Sequence, residues 1–107
     1  MDDSFDYDKV DTVINRIVEN INPNMIVVFG SVARREAKKN SDLDLLVVFD
    51  QLDDEDKMFI RISKLFIGLK LSYDLVIMTR DELEHYSRFE QSFEHEIMST
   101  GKVVYAQ

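Results

Sequence analysis

An α/β (α+β) fold, a mixed sheet covered by helices, follows from three features of this 107-residue sequence. One segment carries apolar residues at helical spacing, and several short runs are crowded with branched apolar residues as buried strands are. The two kinds alternate along the chain, in the order α-β-α-β-α-β-α with a closing β, which predicts helices packed on a sheet. Only three Gly and one Pro interrupt this order, so regular elements fill most of the chain.

Val10, Val13, Ile14, Ile17, Val18 and Ile21 keep the i, i+3, i+4, i+7 spacing of a one-sided helix. Asp6 or Asp8 can cap its start and Pro23 ends it. "MIVVF", Met25–Phe29, reads as a buried strand. A short helix opened by Gly30-Ser31 is expected over 31–38. Leu43–Phe49 is apolar on both faces, as a central strand is. The acidic "DQLDDEDK" leads into a helix of about 15 residues, the length a parallel crossover needs, with Met58, Ile62, Leu65, Phe66 and Leu69 as its core stripe. "LSYDLVIM", residues 71–78, is a third strand. Thr79 or Asp81 caps one further helix whose apolar face runs through Leu83, Tyr86, Phe93 and Ile97 towards Ser99; Phe89, Phe93, Ile97 and Met98 read as core, with a partner surface as the alternative for some of them. "KVVYA" after Gly101 is the closing strand.

The length predicts a single domain over residues 1–107. A hydrophobic share of 45% excludes a disordered chain. The formal net charge of −8 argues against direct nucleic-acid binding and suits a basic protein partner. Cysteine is absent, which removes disulfides and thiolate metal sites. No apolar run is long enough to span a membrane, and the N-terminus is acidic where a signal peptide is basic. A soluble cytoplasmic protein is expected.

The chemistry concentrates between residues 29 and 49. Asp42 and Asp44 sit one residue apart and therefore point to one face of their strand. Antiparallel pairing of the first two strands brings the Gly30-Ser31 turn and both carboxylates to one rim. A parallel third strand starts at that rim and carries Asp74. Three carboxylates so placed repel one another unless a cation joins them. All-oxygen ligands favour Mg²⁺ or Mn²⁺ over Zn²⁺. The free N–H groups of the Gly30-Ser31 turn form a phosphate cradle, and Arg34, Arg35, Lys38 and Lys39 gather positive charge beside it. Two metal ions about 3.5–4 Å apart would activate a hydroxyl and stabilise a leaving pyrophosphate. The reaction inferred is in-line transfer of a nucleoside monophosphate.

"VVFGSVARREAKKNSDLDLLVVF", with "YDLVIM" downstream, resembles the minimal nucleotidyltransferases of the DNA-polymerase-beta-like superfamily. Their pattern is a strand, Gly-Ser, about ten residues, Asp-x-Asp on a second strand and a third acid on a later one; here it is Gly30-Ser31, ten residues, Asp42-Leu43-Asp44, and Asp74. The resemblance implies Mg²⁺-dependent nucleotidyl transfer from ATP or a related triphosphate. Asp42, Asp44 and Asp74 would be metal ligands, Asp74 would be placed to take the acceptor's proton, and Gly30 and Ser31 would hold the phosphates. It further implies the antitoxin half of a toxin–antitoxin module, whose partner is a HEPN-domain toxin silenced by adenylylation of a tyrosine. One departure is Arg35, which stands where many relatives have Gly after the Arg of "GSxAR".

Other residues have plainer readings. Arg34 is balanced between phosphate contact and a solvated helix face, while Lys38 and Lys39 lean towards solubility. Ser41 caps the turn before the second strand. His85 and His95 lack metal-ligand spacing and read as structural or surface residues, and the acidic run 53–56 as a solvated helix entry. No residues are left for a second domain to hold an acceptor, so the acceptor is expected on another protein, or a second copy completes the site. Three functions remain open: AMP transfer to a partner toxin, neutralisation of a toxin by contact alone, and nucleotidyl transfer to a small hydroxylated molecule such as an aminoglycoside. The intact acids favour catalysis, and the missing acceptor domain weighs against a small acceptor.

Overall fold

The computed structural model describes residues 4–107. Helix α1 spans Tyr7–Ile21, with the Asp6 carboxylate accepting from the Asp8 N–H as N-cap. Asn22 ends it in the left-handed conformation at φ 54°, its N–H donating to the Ile17 carbonyl. Val10, Val13 and Ile17 are buried, each contributing about 1.5–3 kcal/mol by leaving water. Strand β1 is Met25–Phe29 and strand β2 is Leu43–Phe49, the bounds their apolar runs predict.

The helix expected over 31–38 is shorter. Helix α2 covers only Gly30–Ala33. Arg35 takes a left-handed φ of 60°, and the Glu36 N–H turns back to the Ser31 carbonyl. Helix α3, Glu55–Ser63, also stops early, passing into a 3₁₀ turn over Lys64–Phe66. Gly68 and Lys70, both at positive φ, then redirect the chain into strand β3, Tyr73–Thr79.

The helix expected to run from Thr79 to about Ser99 is two helices, α4 at Arg80–Ser87 and α5 at Phe93–Thr100. Ser92 makes the break. Its hydroxyl donates to the Tyr86 carbonyl at 2.7 Å and accepts from the His95 N–H at 2.9 Å, closing one helix and capping the next. The turn re-aims the apolar face: Leu83 and Ile97 are buried, whereas Tyr86, Phe89, Phe93 and Met98 are exposed rather than core. Strand β4 is Lys102–Ala106.

The four strands form one sheet in the order β3-β2-β1-β4. β2 is antiparallel to β1 and parallel to β3. β4 pairs antiparallel with β1, with an irregularity between Ile26 and Val27. On one face Ile26, Val28, Leu45, Val47 and Ile77 pack against residues of α1 and α3. On the other, Val27, Leu46, Val48 and Met78 meet Leu83 of α4 and Ile97 of α5. No described residue is a buried charge, so the acids that matter stand at the rim.

Candidate active site

The register fixes the site. Phe29, the last residue of β1, lies opposite Asp44, and Asp44 lies beside Asp74 on the parallel neighbour. Side chains directly across a ladder share a face and sit about 4.5–5.5 Å apart at Cβ. The Asp44 and Asp74 carboxyl groups reach hydrogen-bonding range of each other. Asp42, two residues back and exposed, adds its charge to the pair.

Burial pushes the Asp44 carboxyl above the ordinary carboxylate range, the charges of Asp74 and Asp42 push it further, and the guanidinium of Arg34 opposes them. Arg34 is thus close enough to be felt. It is also exposed and paired with Glu36 at 3.1 Å.

Gly30 is required twice. Its φ is 69°, a left-handed conformation that glycine adopts without cost. A Cβ there would also stand 3.0 Å from Asp44 Cγ and closer still to its carboxylate oxygen. The turn and the carboxylate are therefore packed against one another. Phe29 precedes α2 without a side-chain cap, so the first amides of the helix, Gly30 and Ser31 among them, have no side-chain acceptor from that position.

The donor set suits a hard divalent cation. Asp44 and Asp74 provide adjoining carboxylates that repel when ionised. Among the described residues, no group of three or more His, Asp or Glu side chains stands ready to enclose a metal. The three-carboxylate cluster expected of Asp42, Asp44 and Asp74 is thus only partly formed: Asp44 and Asp74 share a cleft whose lining does not include Asp42. Mg²⁺ is commonly held by one or two carboxylates with phosphate oxygens completing the shell.

The other basic residues go elsewhere. Arg35 lies over the Tyr7 ring at 4.3 Å. The Lys38 N–H donates to the Ser41 hydroxyl at 2.8 Å, which gives Ser41 its turn-capping role. Lys39 lines a neighbouring groove with Lys9 and Lys70. His95 Nδ1 meets the Ser87 carbonyl and His85 Nδ1 meets Arg88, both local structural contacts.

Aromatic neighbours are what the sequence reading missed. An open cleft of about 470 Å³ holds Asp44 and Asp74 between Phe29, Phe59, Tyr73 and Phe93. Phe29 and Phe93 meet edge to face at 5.6 Å. Phe59 was detectable as an apolar residue beside the Met58–Ile62 stripe of α3 rather than on it. A larger hollow of about 640 Å³ lies between α1 and β4, but neither Asp44 nor Asp74 faces it, so chemistry rather than size selects the site.

The family described as polymerase beta nucleotidyltransferase matches residues 11–107. No curated protein matches the chain. Among solved structures, one chain of a toxin–antitoxin complex with AMP-PNP is 23% identical, with a TM-score of 0.65 over 96% of this chain and 75% of that one. A chain from the complex of a tri-AMPylated Shewanella oneidensis HEPN toxin with its MNT antitoxin is 19% identical, with a TM-score of 0.61 over 92% of this chain and 71% of the other. At these identities the likeness is one of fold.

Proposed function

The chain belongs to the polymerase beta nucleotidyltransferase family, and from that premise we propose that it transfers AMP from ATP to a hydroxyl, most simply a tyrosine, of a HEPN-type toxin and so serves as its antitoxin. The observation that carries the reading is the Asp44–Asp74 pair held in register against the Gly30 turn. Similarity to toxin–antitoxin complexes, one with an ATP analogue and one with an AMPylated toxin, supports the partner and the nucleotide.

In this reading Gly30 and Ser31 present amides and a hydroxyl to the triphosphate, and Arg34 adds charge. Asp42, Asp44 and Asp74 would hold Mg²⁺, one ion or two, with Mn²⁺ as a substitute. When bound, the metal neutralises the phosphates and lowers the pKa of the attacking hydroxyl. The acceptor oxygen forms a bond to the α-phosphorus as the bond from that phosphorus to the bridging oxygen of pyrophosphate breaks. The hydroxyl proton passes to the Asp74 carboxylate, and pyrophosphate leaves with the electron pair.

The test is incubation of the protein and its toxin with α-³²P-ATP and Mg²⁺, beside an Asp42→Ala/Asp44→Ala control. Label on the toxin, lost in the control, is the expected result. An unlabelled toxin that both proteins neutralise equally would establish inhibition by contact alone.

A further inference from the structure

The two edges of the sheet are not alike. β4 opens with Lys102, and its pairing with β1 is irregular at Ile26/Val27. A lysine and a bulge are common means of keeping a stray strand from pairing. β3 has neither. "YDLVIMT" contains no Lys, Pro or Gly, and it pairs with β2 in unbroken register along its whole length. Its only charged residue is Asp74.

Among the described residues, the outer side of β3 has no strand partner. The Leu43 N–H donates to the Ser72 carbonyl. By the alternation of a parallel ladder, Asp74 and Val76 then turn their main-chain groups towards β2, and Tyr73 and Leu75 turn theirs outward. One half-exposed ring, Phe59 of α3 at 42%, stands beside that edge, while Phe93 of α5 lines the far side of the same cleft, against Phe29 of β1. The charged groups in the cleft are the two aspartates, in a chain of net charge −8.

We propose that the acceptor enters as an extended peptide segment that adds to the open edge of β3, with a hydroxyl side chain beside Asp74, apolar neighbours against Phe59, and basic flanking residues. The proposal rests on the nucleotidyl-transfer reading and states how its acceptor is recognised. Strand addition draws affinity from main-chain hydrogen bonds and selectivity from alternate side-chain pockets. A residue directly opposite Asp74 presents its side chain on the same face at about 4.5–5.5 Å between Cβ atoms. One docking event therefore sets both the register and the reacting oxygen, and no second domain is needed.

The test uses the full chain, α-³²P-ATP and Mg²⁺ with the synthetic peptide Ac-Arg-Gln-Val-Tyr-Val-Gln-Arg-NH₂ and a set methylated at one backbone nitrogen at a time. Methylation at alternate residues is expected to cut labelling about tenfold, the effect of one lost hydrogen bond of about 1.4 kcal/mol, and methylation at the residues between to leave it unchanged. Phe59→Lys is expected to raise the peptide KM with little change in kcat. Labelling insensitive to methylation, or equally sensitive at every position, overturns strand addition and leaves the transferase reading standing. A labelled whole toxin with no labelled peptide does the same, because recognition then needs a folded surface. No label on toxin or peptide removes the transferase reading and this proposal with it. A dimer in sedimentation that the peptide fails to dissociate and that Phe59→Lys abolishes gives the edge to a second copy and overturns the proposal.

Discussion

Arg35 occupies a backbone conformation that suits glycine, at φ 60°. The chain turns left-handed after α2 at this position, a turn that a glycine would make without strain. A non-glycine residue held so costs about 1–2 kcal/mol, and the stacking of Arg35 on Tyr7 offsets part of it. Arg35→Ala keeps the strain and loses the stacking, whereas Arg35→Gly loses both. Denaturant titration is expected to rank Ala least stable, by about 1 kcal/mol, with Gly close to wild type. Asp44 yields a second expectation. Its carboxyl is raised in the folded chain above the ordinary 3.8, so ionised Asp44 opposes folding. In metal-free protein its favourable contribution is complete below pH 3.8 and is lost as pH rises through the folded value. Asp44→Asn should therefore raise the metal-free melting temperature at pH 7 and flatten its fall above pH 4 while abolishing transfer. A melting temperature lowered at pH 7 would contradict this.

At the scale of elements, Ser92 decides the most. One hydroxyl terminates α4 and caps α5, so Ser92→Ala is expected to cost about 1–2 kcal/mol and to loosen Phe93 beside the carboxylates. Thermal melts should show the first effect, and a raised acceptor KM the second. The break escaped the sequence because Leu83, Tyr86, Phe93 and Ile97 hold helical spacing straight across it; a hydroxyl's choice of carbonyl is a tertiary matter that periodicity does not encode. The strands were legible for the opposite reason. β1 and β2 are branched apolar runs bounded by Asn-Pro-Asn, Gly and Asp, and each boundary residue has one local consequence. Asp42, Asp44 and Asp74 could be placed on one rim because strand alternation and a crossover length suffice for that. Phe29, Phe59 and Phe93 come together only once three separate elements have packed.

For the whole molecule, ligand and fold are linked. If Mg²⁺ and nucleotide relieve the repulsion around Asp44, a non-hydrolysable ATP analogue with Mg²⁺ at a hundred times its Kd should stabilise the protein by about 2.7 kcal/mol. The shift should vanish in Asp42→Ala/Asp44→Ala, read as a melting temperature against ligand concentration. The sheet order also has a consequence in time. β1 pairs with β2 across the short α2 connection, a contact that closes early. Its other neighbour is β4, fastened by Gln107 N–H to the Asn24 carbonyl and by Gln107 Nε2 to Asn22 Oδ1, two residues 85 positions apart in sequence. That pairing must wait for a long loop to close, and contacts of such separation slow folding. During synthesis, β1 therefore waits with one side bare until β4 has been made. A nascent chain stalled before residue 102 leaves that side of β1 unpaired and is exposed to misassembly.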